Sequence, residues 1–346
     1  MSRVLLFTLI VVILSSAQEW HRPRVLEAAR TNMTILLDGR TDEPTWLEAR
    51  WSEPFVDISG ADSLIPPFET RVAMAWNDTA LFLAARIEEP HVWGTLTERD
   101  AVIYRDNDFE FFFDPDGDNH RYGEVEINAM NAVWDLLLEK PYRDGGPAIS
   151  TWNIDGLQHR VHVDGTLNDP ADRDAGWSVE MCIPWRGIRD LTPARLPPVP
   201  GERWRVNFSR VQWASRDSSG LYVKTSSRED NWVWSPIGPV NMHLPERWGE
   251  VVFSDEVGSA DSDVRWEEEK GRRALMEAYT AQRAFQKSNG RWALSVEELF
   301  RWNQRPLDDG IRMELSSGIP LMTIRVERKN GGKTLTVTTD GRLGVQ

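Results

Sequence analysis

Carboxylates and aromatic rings crowd one stretch of this chain. DNDFEFFFDPDGDN, Asp106 to Asn119, holds six acidic residues and four Phe in fourteen positions. Such residues could act as an acid–base pair, coordinate a metal ion, or grip a polar ligand. Strand alternation would put Phe109, Phe111 and Phe113 on one face and Asp108, Glu110, Phe112 and Asp114 on the other. The three phenylalanines then belong to a core. Glu110 is left between acidic neighbours, a crowding tolerated only beside cationic, hydrogen-bonding or metal partners. Two partners are open for it, an arginine from an adjacent strand or the donors of a ligand.

The turn that follows offers Asp114, Asp116 and Asp118 at the i, i+2, i+4 spacing of a calcium loop. Asn119 stands where an EF-hand needs Gly, and Val125 where it needs a bidentate Glu, so the choice lies between a non-EF-hand calcium site and a solvated acidic hairpin. Asp169, Asp172 and Asp174 in NDPADRD invite the same reading. Catalytic patterns are sparse. There is no G-x-S-x-G, no H-E-x-x-H and no Gly-rich phosphate loop, and no segment isolates a lone Glu in apolar surroundings as a general acid. Only His159 and His162 are close in sequence, and they fall on opposite faces of an expected strand. Paired carboxylates are the machinery of glycoside hydrolysis, so an enzymatic role, if there is one, would be associated with that reaction, but the expected role is non-catalytic.

These residues need a β framework. RVAMAW (71–76), ALFLAARI (80–87), DFEFFFD (108–114), VWDLLLE (133–139), HRVHVD (159–164), WSVEMCI (177–183) and WRVNFSRV (204–211) are short alternating or continuous apolar runs, separated by turn formers such as ND, DGD, DGG and PPVPG. Many short strands with little helical periodicity predict a mainly β chain, an antiparallel β-sandwich of jelly-roll type. After Phe253 a polar linker (254–263) leads into a helical pattern ending at Asn289-Gly290. Ser295 with Glu298 is a capping-box candidate for a second helix, and three strands are expected between 311 and 338, giving a small α+β domain over 264–346.

The remaining composition narrows the partners. A net charge of -14 disfavours nucleic acid and anionic membranes. The first 17 residues, with one Arg, an apolar run and Ser15-Ser16-Ala17, have the pattern of a secretory signal, so the protein is expected to be exported, with no span after cleavage. Cys182 is alone, which rules out a disulfide framework within the chain. Of 17 Trp, 13 fall between Trp46 and Trp248, mostly alternating with polar residues as core positions do.

The motif order resembles the family 9 carbohydrate-binding modules and the related DOMON-like sandwiches. DGRTDEPTW (38–46), WNDTALFLAARI, NDFEFFFDP, VEINAMNAVWD, GWSVEMCIPW and HLPERWGEVVF (243–253) carry the resemblance over residues 38–253, with 18–37 as a lead-in. It implies a sandwich that holds one or two sugar units between aromatic rings, often on exported glycan-degrading proteins, and structural calcium is known in such sandwiches. Carried over by motif, the first aromatic clamp falls on Tyr104 and its polar partner on Glu110. Asn128 keeps its place, Glu126 stands where sugar-binding members have a basic residue, and the second clamp falls on Met242 unless Trp232 or Trp234 replaces it. Trp93, Trp232 and Trp234, in loop-like surroundings next to these segments, are further candidates for stacking on a pyranose face. Similar sandwiches also serve as haem-binding subunits with Met and Lys axial ligands, a second reading that Met242 and Met130 keep open. A third is an interaction role outside the cell, with the C-terminal part, similar to the globular part of pilin-like proteins, as the docking element.

Overall fold

The computed structural model describes residues 20–62, 64–261, 263, 265–303, 311–317, 322–328 and 334–345. The expected signal segment lies outside these. Fifteen strands build the larger part: β1 Val25–Arg30, β2 Val56–Asp57, β3 Thr70–Trp76, β4 Ala80–Glu88, β5 Asp108–Asp114, β6 Tyr122–Asn128, β7 Val133–Leu138 and β8 Ala148–Ile149. They continue as β9 Gln158–Asp164, β10 Gly176–Pro184, β11 Arg203–Gln212, β12 Ser215–Asp217, β13 Tyr222–Lys224, β14 Asp230–Val233 and β15 Gly249–Ser254. A short helix, α1 Pro44–Glu48, precedes β2.

Hydrogen bonding joins the main strands in the order β8-β7-β6-β5-β11-β15-β1-β3-β4-β10-β9, with β14 bridging β11 and β2. This large sheet curls until its two halves face each other. Phe109, Phe111, Val125 and Ile127 from one half pack with Val72, Met74, Leu83 and Val179 from the other in a single buried cluster, and this is the β-sandwich the alternation predicts. Phe111 stacks on Phe113 at 4.7 Å and on Phe208 at 5.3 Å, so the inward face of β5 is aromatic throughout.

One feature departs from a purely antiparallel sandwich. β1 runs parallel to both β15 and β3, closing the join between the halves. The segment expected as a lead-in therefore supplies a central strand. VLEAAR gave little sign of this, because its inward residues include small alanines and Glu27 is itself buried.

The C-terminal part is α2 Trp266–Asn289 and α3 Val296–Asn303 against a sheet of β16 Ile311–Ser317, β17 Met322–Arg328, β18 Leu335–Val337 and β19 Leu343–Val345, one strand more than expected. Leu275, Tyr279, Phe285, Met313 and Val337 form its core. Gly290, at φ 70°, ends α2 in the left-handed conformation and donates its amide to Gln286 O. Ser295 Oγ accepts the Glu298 amide at 3.1 Å, while the Glu298 carboxylate reaches back to the Leu294 amide rather than to that of Ser295. No described helix is long and apolar enough to cross a membrane.

Candidate ligand-binding cleft

The outward face of β5, β6, β7 and β11 forms the floor of a cleft of about 330 Å³. Register sets its composition. Glu110 lies opposite Glu126 on one side and Ser209 on the other, Phe112 opposite Glu124, and Glu126 opposite Trp134. Because alternation sends every second residue outward, the acidic positions of two adjacent strands meet side by side. Asp108, Glu110, Glu124 and Glu126 are all at least nine-tenths buried.

Among the described residues no basic side chain pairs with any of the four. Arg210, next to Ser209 in sequence, points to the other face and binds Glu89 at 2.7 Å. Arg205 is held by Glu250 and Glu269, and Arg143 by Glu246 and Asp144. Of the two partners open for Glu110, the arginine is therefore not the one present. Backbone amides supply two donors, Val211 to Asp108 Oδ1 at 3.1 Å and Tyr104 to Glu126 at 3.0 Å, and the Ser209 hydroxyl faces Glu110. Asp108 Oδ2 and Glu124 Oε2 are buried with no partner. Burial accordingly pushes the Glu110 carboxyl up to about 7. It holds Glu126 well above the carboxylate range, with Glu124, Glu110 and Asp108 adding their repulsion.

Two exposed rings stand over this floor. Tyr104, in a short helical turn before β5, is 41% exposed, and Tyr142, in a similar turn after β7, is 50% exposed; both line the cleft. Tyr142 rests edge-on against His243 at 4.4 Å. Burial and the neighbouring Glu124 and Glu126 raise its phenol to about 12. Trp134 forms part of the floor, its indole Nε1 buried without an acceptor.

A family model described as carbohydrate family 9 binding domain-like matches residues 37–256. The chain belongs to this family. Among solved structures, a protein from Bacteroides uniformis has 18% identity and a TM-score of 0.49, covering 67% of this chain and all of that one. A family 9 carbohydrate-binding module from Caldicellulosiruptor kristjanssonii in complex with cellotriose has 15% identity and a TM-score of 0.45, covering 68% of this chain and 96% of that one. The glucose complex of a family 9 module from the same organism has 15% identity and the same TM-score, covering 69% of this chain and all of the other. No curated protein matches the chain.

Within this family 9-like domain the residues expected from sequence separate into two groups. Tyr104, Glu110, Glu126 and Met242 line the cleft together. Met242 is a buried wall rather than a stacking platform, packed with Phe112 and Trp248. Asn128 has its side chain committed to the protein. Its Nδ2 donates to Leu96 O and Asp106, and its Oδ1 accepts the amides of Met130 and Ala132, closing the β6–β7 turn. The three loop tryptophans are core residues. Trp232 lies on β14 beneath Arg210, Trp234 packs on Phe208 and over Gly249, and Trp93 is 4% exposed near Lys224. The surroundings of Trp232 and Trp234 read as loop because β14 is only four residues long; Trp232 lies on it and Trp234 just past its end, and both join the main core. Met130 packs beside Gly94 and Asn168, away from the cleft that Met242 lines.

Tyr142, Glu124 and Trp134 are among the cleft residues that sequence reading missed, as are Glu229, Asn231 and His243. Glu124 and Trp134 carried a usable signal, since each lies an even number of residues from Glu126 or directly opposite it. Tyr142 sits in a turn whose position no strand pattern fixes.

The acidic turn after β5 is not a solvated hairpin. Asp114 and Asn119 are fully buried. Asp114 accepts the amides of Gly117 and Asn119, Asp116 the Thr192 hydroxyl, and Asp118 the His120 amide and the Arg342 guanidinium. The C-terminal part covers it, with Arg272 donating to Gly117 O at 3.0 Å and the Leu343 amide to Asp118 O at 2.8 Å. One oxygen from each Asp still comes within 4.8 Å of the others. Asp169, Asp172 and Asp174 instead bind separate loop groups, Ala171 N, Thr166 Oγ1, and the amides of Val92 and Thr166.

Proposed function

We propose that the protein is an exported, non-catalytic carbohydrate-binding protein, and that the cleft over β5, β6 and β7 is where it holds sugar. The observation that carries this reading is the pairing of two exposed rings, Tyr104 and Tyr142, with a floor of buried acceptors. The C–H face of a pyranose stacks on aromatic rings while its hydroxyls donate to Glu110, Glu124 and Glu126. Family membership supports the substrate class. The cleft opens to solvent beside Tyr104 and Tyr142, which suits one or two sugar units of a longer glycan.

Glycan-array screening followed by calorimetry of the purified protein tests it. Binding to at least one mono- or oligosaccharide is expected, with Tyr104→Ala and Tyr142→Ala each weakening it about tenfold, or about 1.4 kcal/mol. The same glycans should be left uncleaved. An array on which nothing binds, or tyrosine variants that bind as the parent does, would sink the reading.

A further inference from the structure

We propose that a divalent-cation site of calcium type lies at the cleft floor, formed by Glu110 and Glu126, which line the cleft, with the fully buried Asp108 beside them, and that the bound ion faces the sugar. The three residues are 0%, 5% and 2% exposed, and one carboxylate oxygen from each lies within 4.8 Å of the others. Oxygens around one calcium ion, at about 2.3–2.6 Å from it, stand at most about 5 Å apart. Three protein ligands leave the remaining positions to water or to ligand hydroxyls.

A second observation comes from outside the triad. Glu124, two residues before Glu126 on the same strand face, lines the cleft at 4% exposure with Oε2 unpartnered. Buried carboxylates without a cationic partner are costly, and neutral hydroxyl donors do not offset their charge. Nearby arginines cannot supply it, because Arg210, Arg205 and Arg143 are engaged with Glu89, Glu250 with Glu269, and Glu246 with Asp144. Of the other acidic clusters, that of Asp38, Glu43 and Glu180 also keeps one unpartnered buried oxygen, Glu43 Oε2, but its Asp38 is exposed and Glu43 only partly buried. Glu180, near Asp38 and Glu43, accepts three hydrogen bonds, from Trp46 Nε1 and the amides of Asp38 and Gly39, and the Asp114 turn is served by amides, Thr192 and Arg342. The cleft floor has charge, crowding and open ligand positions together. Calcium suits it better than magnesium, since irregular, partly solvated oxygen sets fit the larger ion.

Calcium chloride titrated calorimetrically into the full chain, with no sugar present, is the test. The unaltered protein and Asp114→Asn should share a calcium-binding event that weakens at least tenfold in Glu126→Gln and in Glu110→Gln. These variants keep side-chain shape and remove one of several crowded charges, so they should fold; in EDTA they should melt no lower than the parent, and calcium should raise the parent's Tm more than theirs. Identical titrations for parent, Glu126→Gln and Glu110→Gln would overturn the site. The ion's contact with sugar rests on the carbohydrate reading, and glycan binding in calcium and in EDTA separates the two. Equal sugar binding in both removes the ion's role. Calcium binding with no sugar bound in either keeps the site and removes the carbohydrate reading.

Discussion

At the scale of single residues, the cleft combines groups that burial drives in opposite directions. His243 is held neutral, its imidazole pushed down to about 4 by desolvation between Phe112, Tyr122 and Tyr142. Below the unfolded value of 6.5 the unfolded chain takes up a proton that the folded histidine refuses. Its contribution is therefore complete above pH 6.5 and is lost as the pH falls toward 4, by at most about 1.4 kcal/mol per unit. Urea denaturation at pH 7.5 and pH 5 should show the stability gap between the parent and His243→Gln shrinking at the lower pH. A constant gap would mean that the histidine titrates normally. Tyr104 and Tyr142 belong to this scale too, since their loss should change affinity and leave stability nearly untouched, both being half-exposed.

At the scale of elements, alternation explains most of the site. β5 was readable as a strand from its alternation, and the register with β6, which the structure supplies, places Glu110 opposite Glu126. Which face of β14 points inward was not readable, and with it went Trp232 and Trp234. Gly249 in β15 tests the corrected placement. A Cβ there would come 2.4 Å from the Trp234 ring and 2.9 Å from Arg24 O, so Gly249→Ala should cost about 1–3 kcal/mol by overpacking, read as a lower urea midpoint. If Trp234 were instead a mobile surface platform, the substitution would be nearly neutral. The turn that carries Tyr142 is fixed differently. Asp144 at its end binds Arg143, the Tyr279 hydroxyl at 2.7 Å and Arg283, the last two from α2. Asp144→Ala should cost about 1–3 kcal/mol and also weaken sugar binding, because it frees the turn that aims Tyr142. An unchanged affinity would show that Tyr142 needs no such support.

At the scale of the whole molecule, the C-terminal part is a structural partner of the sandwich. Arg205, 4% exposed in β11, pairs with Glu269 of α2, and the Asp114 turn is roofed by Arg272, Gly341 and Leu343. A chain ended at residue 263 should leave Arg205 without Glu269 and Asp118 without Arg342 and the Leu343 amide, giving a lower Tm and faster proteolysis at the 114–119 turn. A truncated sandwich as stable as the parent would contradict this.

Sequence by itself determined the β-sandwich, the inward phenylalanines of β5, and the meeting of Tyr104 and Glu110 at one surface. Those follow from local period and motif order, which the chain carries residue by residue. Tertiary structure alone decided that no arginine among the described residues answers Glu110, that Tyr142 rather than a tryptophan stands over the cleft with Tyr104, and that the acidic turn is a buried docking point. Each depends on which distant strand, turn or helix comes to lie beside the residue in question. Contacts of that kind, such as Asp118 with Leu343 or Asp144 with Arg283, are set by the packing of whole elements and leave no local pattern to read.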